Sequence, residues 1–386
     1  MTPILETKLP NVGTTIFTVM SALATEHQAV NLGQGFPDFG CDPALIDAVS
    51  DAMREGLNQY PSMLGVLELR QAIAQKIQTL YQKTYDPATE ITVTAGATQA
   101  IINAILAVVR AGDEVIVLEP CYDSYIPNIE LAGGTVVRVP LTPGSFRPDF
   151  DRINAAITPR TRAILINSPH NPSATVWSDA DMLRLQEILA PTQVLLISDE
   201  VYEHMVYAPL VHRSAASYPG LAERAFIVSS FGKTFHVTGW KIGYCIAPEA
   251  LSVEFRKIHQ YLTFSTVTPI QYALAEYLDH PNHYLDLPAF YQKKRDLFLD
   301  GLKTTPFTFQ ASQGSFFQLV SYAHLSKKSD MLLAEQMTRQ LKVACIPVSV
   351  FYSDGQDDQV LRFCFAKKEE ELEEALRRIQ KIATIF

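Results

Sequence analysis

The stretch Ala225-Phe-Ile-Val-Ser-Ser-Phe-Gly-Lys-Thr-Phe-His-Val-Thr-Gly-Trp-Lys-Ile-Gly-Tyr244 indicates both the fold and the position of a site. It begins as an apolar, β-rich run and then breaks into a small polar turn with Lys233 at its far end. A lysine near other cations or in a desolvated pocket loses its proton readily and can form a Schiff base. A solvated loop lysine is the commoner explanation, but Ser229, Ser230 and Lys241 could hold a phosphate beside this amine.

Two short motifs that would indicate a nucleotide site are incomplete. Gly232-Lys233-Thr234 resembles the end of a P-loop, but Ile227 stands where that loop requires its first glycine. Gly33-Gln-Gly35 opens like a dinucleotide fingerprint, but Asp38 occupies the third glycine position. Neither motif therefore supports nucleotide binding.

The composition is that of a globular protein with a large core. The 386 residues are 47% hydrophobic and 19% charged, which argues against disorder and allows two domains. The net charge of −9 comes without a basic patch, so we expect no nucleic acid partner. No apolar stretch approaches the roughly 18 residues of a membrane span, so we expect no membrane association.

The N-terminus and the cysteines favour a cytoplasmic location. Acid and proline interrupt residues 1–10 before any apolar core, so this segment does not resemble a signal peptide. The five cysteines are scattered without a Cys-x-x-Cys pair, which is typical of reduced thiols in a cytoplasmic enzyme. The histidines, among them His170 and His204, lack metal-ligand spacing, and we assign no metal.

Apolar strands alternate with helices through the middle of the chain. This pattern indicates an α/β fold with a mostly parallel sheet covered on both faces, whose ligands lie at the carboxyl ends of the strands. Asn171, Asp199, Tyr202 and Lys233 all fall at those ends, and this convergence is stronger evidence for a site than any single motif. The predicted strands are 114–119, 135–141, 163–169 and 194–202, and the predicted helices include 97–110 and 178–189.

A second polar turn follows the short strand that runs into Gly96. A helix begins there at once, and its free N–H groups, together with the Thr98 hydroxyl, form an anion site suited to phosphate. An ordinary strand-to-helix turn has the same pattern, so this signal is weak alone.

Taken together, these residue types meet the requirements of pyridoxal phosphate. This cofactor needs a lysine, a carboxylate that keeps the pyridine nitrogen protonated, donors to the 3-oxygen, an aromatic face and an anion site. A cation must also bind the carboxylate of the amino acid. The candidates are, in that order, Lys233, Asp199, Asn171 with Tyr202, Tyr122, the Gly96–Thr98 turn and one arginine.

Along essentially its whole length the sequence resembles the class I, fold type I aminotransferases, in particular the branch of kynurenine aminotransferases, glutamine transaminase K and bacterial methionine aminotransferases. The resemblance implies a mostly parallel seven-stranded sheet sandwiched by helices, plus a smaller α+β domain. Several motifs occur in the family's order, so chance is not a serious explanation. They are Asn31-Leu-Gly-Gln-Gly-Phe-Pro-Asp-Phe39, Thr94-Ala-Gly-Ala-Thr98, His170-Asn-Pro172, Ser198-Asp-Glu-Val-Tyr202, Ser230-Phe-Gly-Lys-Thr234, Gly239-Trp-Lys-Ile-Gly243 and Leu361-Arg-Phe363.

The resemblance implies pyridoxal 5'-phosphate as cofactor and a set of catalytic and ring-binding residues. Lys233 would form the Schiff base and move a proton between the substrate α-carbon and the cofactor. Asp199 would pair with the pyridinium, although a strand-end cap is the alternative. Asn171 and Tyr202 would bond the 3-oxygen, and Tyr122 would stack on the ring.

The resemblance also implies a phosphate site and a homodimer. Ala97, Thr98, Ser230 and Lys241 correspond to phosphate ligands, although the family often has arginine where Lys241 stands. Tyr60 resembles the tyrosine that reaches the phosphate of the neighbouring subunit, so two subunits would share each active site.

The substrate would be held through its α-carboxylate and a largely apolar side-chain pocket. Arg362 would grip that carboxylate bidentately, beside Asn171, and Gly35 would let the backbone approach it. Aspartate aminotransferases supply a second arginine, but the comparable stretch here, residues 260–269, has no cation. The available aromatic side chains are Phe36, Tyr125 and Phe264. The predicted donors are therefore methionine, glutamine, phenylalanine, histidine or kynurenine.

The sequence thus predicts a cytoplasmic, homodimeric aminotransferase that exchanges amino groups between an L-amino acid and a 2-oxo acid by a ping-pong mechanism. A carbon–sulfur β-lyase on the same scaffold is the nearest alternative. A non-catalytic binding protein is another, against which the intact Lys233 and Asp199 argue. The predicted domains are an arm at 1–45 that joins the small domain, a large cofactor domain at 46–275 and a C-terminal small domain at 276–386.

Overall fold

The structure, a computed structural model, describes residues 6–385, so the first five residues of the predicted arm lie outside it. The helices are α1 (Ile16–Glu26), α2 (Pro43–Arg54), α3 (Leu67–Tyr81), α4 (Gly96–Val108), α5 (Tyr125–Leu131), α6 (Phe150–Ala156), α7 (Asp179–Leu189), α8 (Pro219–Ala222), α9 (Phe231–Thr234), α10 (Glu249–Leu262), α11 (Thr268–Leu278), α12 (Asn282–Leu285), α13 (Leu287–Leu302), α14 (Asp330–Gln336) and α15 (Glu369–Ile379). The strands are β1 (Val30–Asn31), β2 (Ile91–Thr94), β3 (Glu114–Glu119), β4 (Thr135–Pro140), β5 (Thr161–Asn167), β6 (Leu195–Asp199), β7 (Ala225–Ser230), β8 (Gly243–Ile246), β9 (Phe317–Ser321), β10 (Val343–Ala344), β11 (Ile346–Pro347) and β12 (Val360–Cys364).

The central sheet has seven strands in the order β2-β8-β7-β6-β5-β3-β4. Strand β8 runs antiparallel to both of its neighbours, β2 and β7, and all the other neighbouring pairs of this sheet are parallel. The predicted α/β fold with a mostly parallel seven-stranded sheet is therefore confirmed.

Helices cover both faces of this sheet, which explains why its inner strands are largely apolar. Successive side chains of a strand point to opposite faces. On β3, Ile116 and Leu118 belong to one hydrophobic cluster, whereas Val115 and Val117 belong to another. Both faces are thus buried, as parallel sheets require.

The carboxyl ends of β5, β6 and β7 lie side by side. Asn167 pairs in register with Asp199, and Asp199 pairs with Val228. The predicted strand 194–202 is too long, because β6 ends at Asp199, where the carboxylate accepts a hydrogen bond from the Val201 amide at 3.2 Å and turns the chain.

Lys233 lies on α9, a single helical turn that begins directly after β7. The sequence indicated a polar turn here, and the chain closes it with a hydrogen bond from the Phe235 amide to the Phe231 carbonyl at 2.8 Å. The backbone from β7 into α9 therefore brings the lysine to the same edge of the sheet as Asp199.

A second region combines residues from both ends of the chain. Strands β11, β12 and β9 form an antiparallel sheet, and β1 pairs in parallel with β10. Arg362 occupies the middle of β12, where it pairs with Leu319 and Ile346. The boundaries of the predicted domains remain a prediction. Within residues 6–385, no helix is both long and apolar enough to cross a membrane.

Candidate active site

A cavity of about 230 Å³ lies at the carboxyl edge of the central sheet. Residues from opposite ends of the chain meet in its wall, since α1, β6, α9 and β12 all contribute. Twelve of the residues singled out from the sequence line it, namely Gly35, Ala97, Thr98, Tyr122, Tyr125, Asn171, Asp199, Tyr202, Ser230, Lys233, Lys241 and Arg362.

The amine of Lys233 is held inside this cavity. Its Nζ donates a hydrogen bond to the Gly35 carbonyl at 2.7 Å and lies 5.6 Å from the centre of the Tyr202 ring. Burial, with the nearby charges of Arg362 and Lys241, lowers the pKa of Lys233 to about 8. A much larger fraction of the amine is therefore neutral near neutral pH than for an ordinary lysine, as a nucleophile or a base requires.

Asp199 is a buried carboxylate at the end of β6. It accepts a hydrogen bond from the Tyr125 hydroxyl at 2.5 Å and forms no ion pair with any residue from 6 to 385. Burial raises its pKa to about 6. A buried acid without a cationic partner is suited to bind a cation that is not part of the protein, such as a pyridinium.

Asn167 links the two polar segments of this edge and was missed by the sequence analysis. Its side-chain amide donates to the Asp199 carbonyl at 2.9 Å, and its side-chain oxygen accepts from the Asn171 amide at 2.7 Å. The available signal was a polar residue that ends an apolar, buried strand. Asn167 therefore fixes the backbones of two predicted cofactor ligands relative to each other.

Arg362 also lines the cavity, and its side chain is almost fully buried. Its guanidinium donates to the Asn171 side chain at 2.6 Å and to the Gly33 carbonyl at 3.2 Å. Its Nε has no hydrogen-bond partner among the described residues. Burial lowers the pKa of Arg362 to about 10, so the side chain remains charged at neutral pH. A carboxylate could satisfy the free donor.

Aromatic rings enclose this guanidinium, and the sequence analysis did not identify them. The ring centre of Phe317 lies 3.9 Å from the guanidinium carbon, and that of Phe17 lies 5.3 Å away. Both rings line the cavity. They lie nearly 300 residues apart in sequence, so no local pattern relates them to Arg362.

The other end of the cavity is built from backbone amides and a lysine. Gly96 has a φ of +79°, and a Cβ atom there would lie 3.5 Å from the Nζ of Lys241. A Cβ atom on Gly243 would lie 3.1 Å from the amide nitrogen of Ala97. The two glycines thus bring the start of α4 against Lys241 and leave room for an anion.

Three residues predicted for the site do not line the cavity, namely Tyr60, Phe36 and Phe264. Tyr60 is 82% exposed, and its ring meets that of Phe264 edge-on at 5.2 Å. Phe36 is 45% exposed, and its carbonyl accepts a hydrogen bond from Lys367. Their roles in the site remain predictions.

Tyr125 lines the cavity, but in a way that the sequence did not indicate. It was singled out as an apolar wall for the substrate side chain. The structure shows its ring buried and its hydroxyl bonded to Asp199. This contact holds the carboxylate in one orientation.

These features fit pyridoxal phosphate. The site offers one partner for each part of the cofactor. Asp199, which has no ion-pair partner among the described residues, suits the pyridine nitrogen, and the amine of Lys233 suits the aldehyde. The face of Tyr122 suits the ring, and the anion site at the start of α4 suits the phosphate. The free Nε of Arg362 leaves a separate position for a substrate carboxylate.

Comparison with known proteins gives the class to which this site belongs. The family described as aminotransferase class I and II matches residues 27–379, and the chain belongs to that family. It is a pyridoxal-phosphate-dependent aminotransferase of fold type I, as the sequence predicted.

Individual relatives share almost the whole chain. The methionine aminotransferase of Escherichia coli is 49% identical over 98% of both chains, and its crystal structure superposes with a TM-score of 0.96, covering 98% of this chain and all of that one. A probable N-succinyldiaminopimelate aminotransferase of Mycobacterium tuberculosis is 40% identical over 96% of both chains. The human kynurenine–oxoglutarate transaminase 1 is 32% identical over 93% of both chains.

Proposed function

We propose that this enzyme transfers the amino group of a neutral L-amino acid, with methionine as the foremost donor, to a 2-oxo acid. The composition of the cavity wall carries this proposal. Among the described residues that line the cavity, Arg362 is the one arginine, and aromatic rings surround it. The relationship to the methionine aminotransferase of Escherichia coli supports the same donor.

In this proposal Arg362 orients the substrate. Its free Nε and its neighbouring N–H groups would hold the α-carboxylate, and the Asn171 side chain would fix the plane of the guanidinium. A Cβ atom on Gly35 would lie 2.9 Å from the Phe317 ring, so only glycine lets the backbone pass this close to the carboxylate site.

Lys233 would move the proton. Pyridoxal phosphate, when bound, supplies an electron sink for the electrons released at the substrate α-carbon. The Nζ of Lys233 would take the proton from that carbon and return it to the cofactor side, since its lowered pKa leaves the amine free to act as a base. Asp199, oriented by Tyr125, would keep the ring nitrogen protonated, and Asn171 and Tyr202 would bond the 3-oxygen.

The phosphate would bind at the start of α4. Ala97, Thr98, Ser230 and Lys241 all line the cavity, and the amides of Ala97 and Thr98, the Ser230 hydroxyl and the Lys241 ammonium would bind the phosphate oxygens. Tyr122 would cover one face of the ring, and its hydroxyl interacts with Thr98.

Methionine should be turned over with a higher kcat/KM than aspartate. A side-chain carboxylate would enter an aromatic pocket without a second cation and would lose its hydration there, which costs several kcal/mol. We expect a preference of at least about 100-fold, measured as turnover with one common oxo acid. Faster turnover of aspartate would contradict the proposed pocket.

A half-reaction separates the transaminase from the alternative β-lyase. Mixing the loaded enzyme with L-methionine alone should change the cofactor absorbance, and an added oxo acid should restore it. Release of methanethiol, ammonia and pyruvate from S-methyl-L-cysteine, whose sulfur is on the β-carbon, with unchanged absorbance would instead identify a β-lyase.

We also propose a cytoplasmic homodimer. Tyr261 is 89% exposed, and together with Tyr60 and Leu262 it leaves apolar side chains uncovered on the surface of the single chain. Sedimentation should give about twice the mass of the 43.0 kDa chain, and a monomer with full activity would contradict the dimer. All five cysteines are free, which suits the reducing cytoplasm, and cell fractionation tests that location.

A further inference from the structure

Glu119, the last residue of β3, joins the central sheet to a distant segment of the chain. Its carboxylate is buried and accepts hydrogen bonds from the Ser353 amide at 3.3 Å and from the Ser353 hydroxyl at 3.2 Å. Two residues later, the Cys121 amide donates to the Phe351 carbonyl at 3.1 Å. Three hydrogen bonds therefore fasten residues 119–121 to residues 351–353.

Each side of this junction leads directly to one half of the cavity. On the sheet side, Cys121 is followed by Tyr122, which lines the cavity at the proposed face of the cofactor ring. On the other side, the ring centre of Phe351 lies 5.2 Å from the guanidinium carbon of Arg362. The same segment follows β11, whose Ile346 pairs with Arg362 in the sheet.

We propose that Glu119 is a positioning residue for the transamination, acting through Ser353 and Phe351 to fix Arg362 relative to the cofactor ring. This inference rests on the proposed function, because it takes Arg362 as the group that binds the substrate carboxylate. Glu119 itself touches neither substrate nor cofactor. It sets the distance between the two groups that hold them.

The hydrogen bonds to Ser353, rather than the charge of Glu119, carry the effect. Arg138 is the nearest cation, with its Nε 3.4 Å from the carboxylate, but its side chain is 38% exposed. Such a solvated ion pair contributes little. Glu119→Gln keeps an acceptor for the Ser353 amide and should therefore behave like the natural enzyme, whereas Glu119→Ala removes both bonds.

The test measures binding of each part of methionine separately, on the enzyme loaded with cofactor. Methylthiopropionate keeps the thioether and the carboxylate but lacks the amine and the α-carbon that bears it, and methylthiopropylamine keeps the amine and the α-carbon but lacks the carboxylate. In Glu119→Ala, we expect the KM for methionine and the inhibition constant of methylthiopropionate to rise about tenfold, the factor that the loss of two hydrogen bonds of ordinary strength produces. The inhibition constant of the amine and the cofactor affinity should change less than twofold.

Glu114 offers a matched control at the other end of the same strand. It is buried to the same degree as Glu119, and its carboxylate also accepts from a hydroxyl, that of Thr158 at 2.6 Å, and binds an arginine, Arg160. Glu114→Ala should lower thermal stability as Glu119→Ala does, but it should leave the inhibition constant of methylthiopropionate unchanged.

Two results would overturn the inference. One is equal weakening of both probes in Glu119→Ala, because a general structural defect would produce it. Another is the same loss of carboxylate binding in Glu114→Ala. If Glu119→Ala does not fold, Ser353→Ala tests the inference in its place, because it deletes one of the two hydrogen bonds to Glu119. It should raise the inhibition constant of methylthiopropionate about threefold and leave that of methylthiopropylamine unchanged. Failure of the natural enzyme to bind methylthiopropionate would contradict the role of Arg362 and thus the proposed function instead.

Discussion

Lys233→Ala should reduce turnover of methionine by about 10⁴-fold or more, the upper range for loss of a positioned general base. The amine lies inside the cavity at 2.7 Å from the Gly35 carbonyl. No other described lysine except Lys241 lines the cavity, and Lys241 is at its phosphate end, against Gly96. Among the described residues that line the cavity, no second lysine is therefore placed to replace Lys233. Rapid mixing of the loaded variant with methionine should show a correspondingly slow change of cofactor absorbance.

Lys233→Arg separates the base from its charge. Arginine keeps the positive charge in the cavity, but its pKa is too high for it to act as a base at neutral pH. We expect this variant to be as slow as Lys233→Ala while it still binds the cofactor non-covalently. Turnover within tenfold of the natural enzyme in either variant would show that another group moves the proton.

The sequence allowed the prediction of those elements whose signal is local. Most inner strands of the central sheet are short, largely apolar runs, and burial on both faces of the sheet accounts for that pattern. Asp199 and Lys233 could be found because a polar residue at the end of such a run is unusual and because the ends of parallel strands meet at one edge.

The remaining parts of the site depend on contacts between distant residues. Phe17 and Phe317 enclose Arg362 from opposite ends of the chain, and Glu119 meets Ser353 across 234 positions. Neither pair leaves a periodic pattern in the sequence. The direction of a side chain is also undetermined by its type, as Tyr125 shows, because its hydroxyl is used to hold Asp199 rather than to form a wall.

A second buried network, outside the cavity, should have the largest effect on stability. The Nζ of Lys76, on α3, donates to a Glu203 carboxylate oxygen at 2.7 Å, and both side chains are at most 3% exposed. The same carboxylate accepts from the hydroxyls of Tyr81 at 2.6 Å, Tyr244 at 3.1 Å and Ser229. Burial alone would raise the pKa of Glu203. The charge of Lys76 and these hydrogen bonds outweigh burial and hold this pKa well below its usual range.

Lys76→Met should lower the free energy of unfolding at pH 7 by about 3–5 kcal/mol, because it leaves a charged carboxylate buried without its cation. Urea unfolding of the natural enzyme and the variant measures this difference. Lys257→Met is the matched surface control. The Nζ of Lys257 lies 2.6 Å from a Glu254 carboxylate oxygen, and the two side chains are 63% and 50% exposed. The loss of this solvated ion pair should change the free energy of unfolding by less than about 1 kcal/mol.

The pH dependence of this loss of stability should identify its cause as the Glu203 carboxylate, which Lys76→Met leaves without its cation. In Lys76→Met, the pKa of Glu203 should lie above its unfolded value of about 4.3, because burial is no longer opposed by the ammonium. A folded-state pKa that is raised gives stability that is present at low pH and lost as the pH rises. The deficit of the variant should therefore shrink as the pH falls from 7 towards about 4.

The double variant Lys76→Met with Glu203→Gln should recover most of the lost stability. It removes both charges and retains an amide that can bond Tyr81 and Ser229. Tyr202 and Ser230 line the cavity, and they are the chain neighbours of Glu203 and Ser229. Lys76→Met should therefore also weaken cofactor binding, and the double variant should restore it. A Lys76→Met variant that loses less than about 1 kcal/mol, or a double variant no more stable than the single one, would show that this ion pair does not stabilise the fold in the way its burial implies.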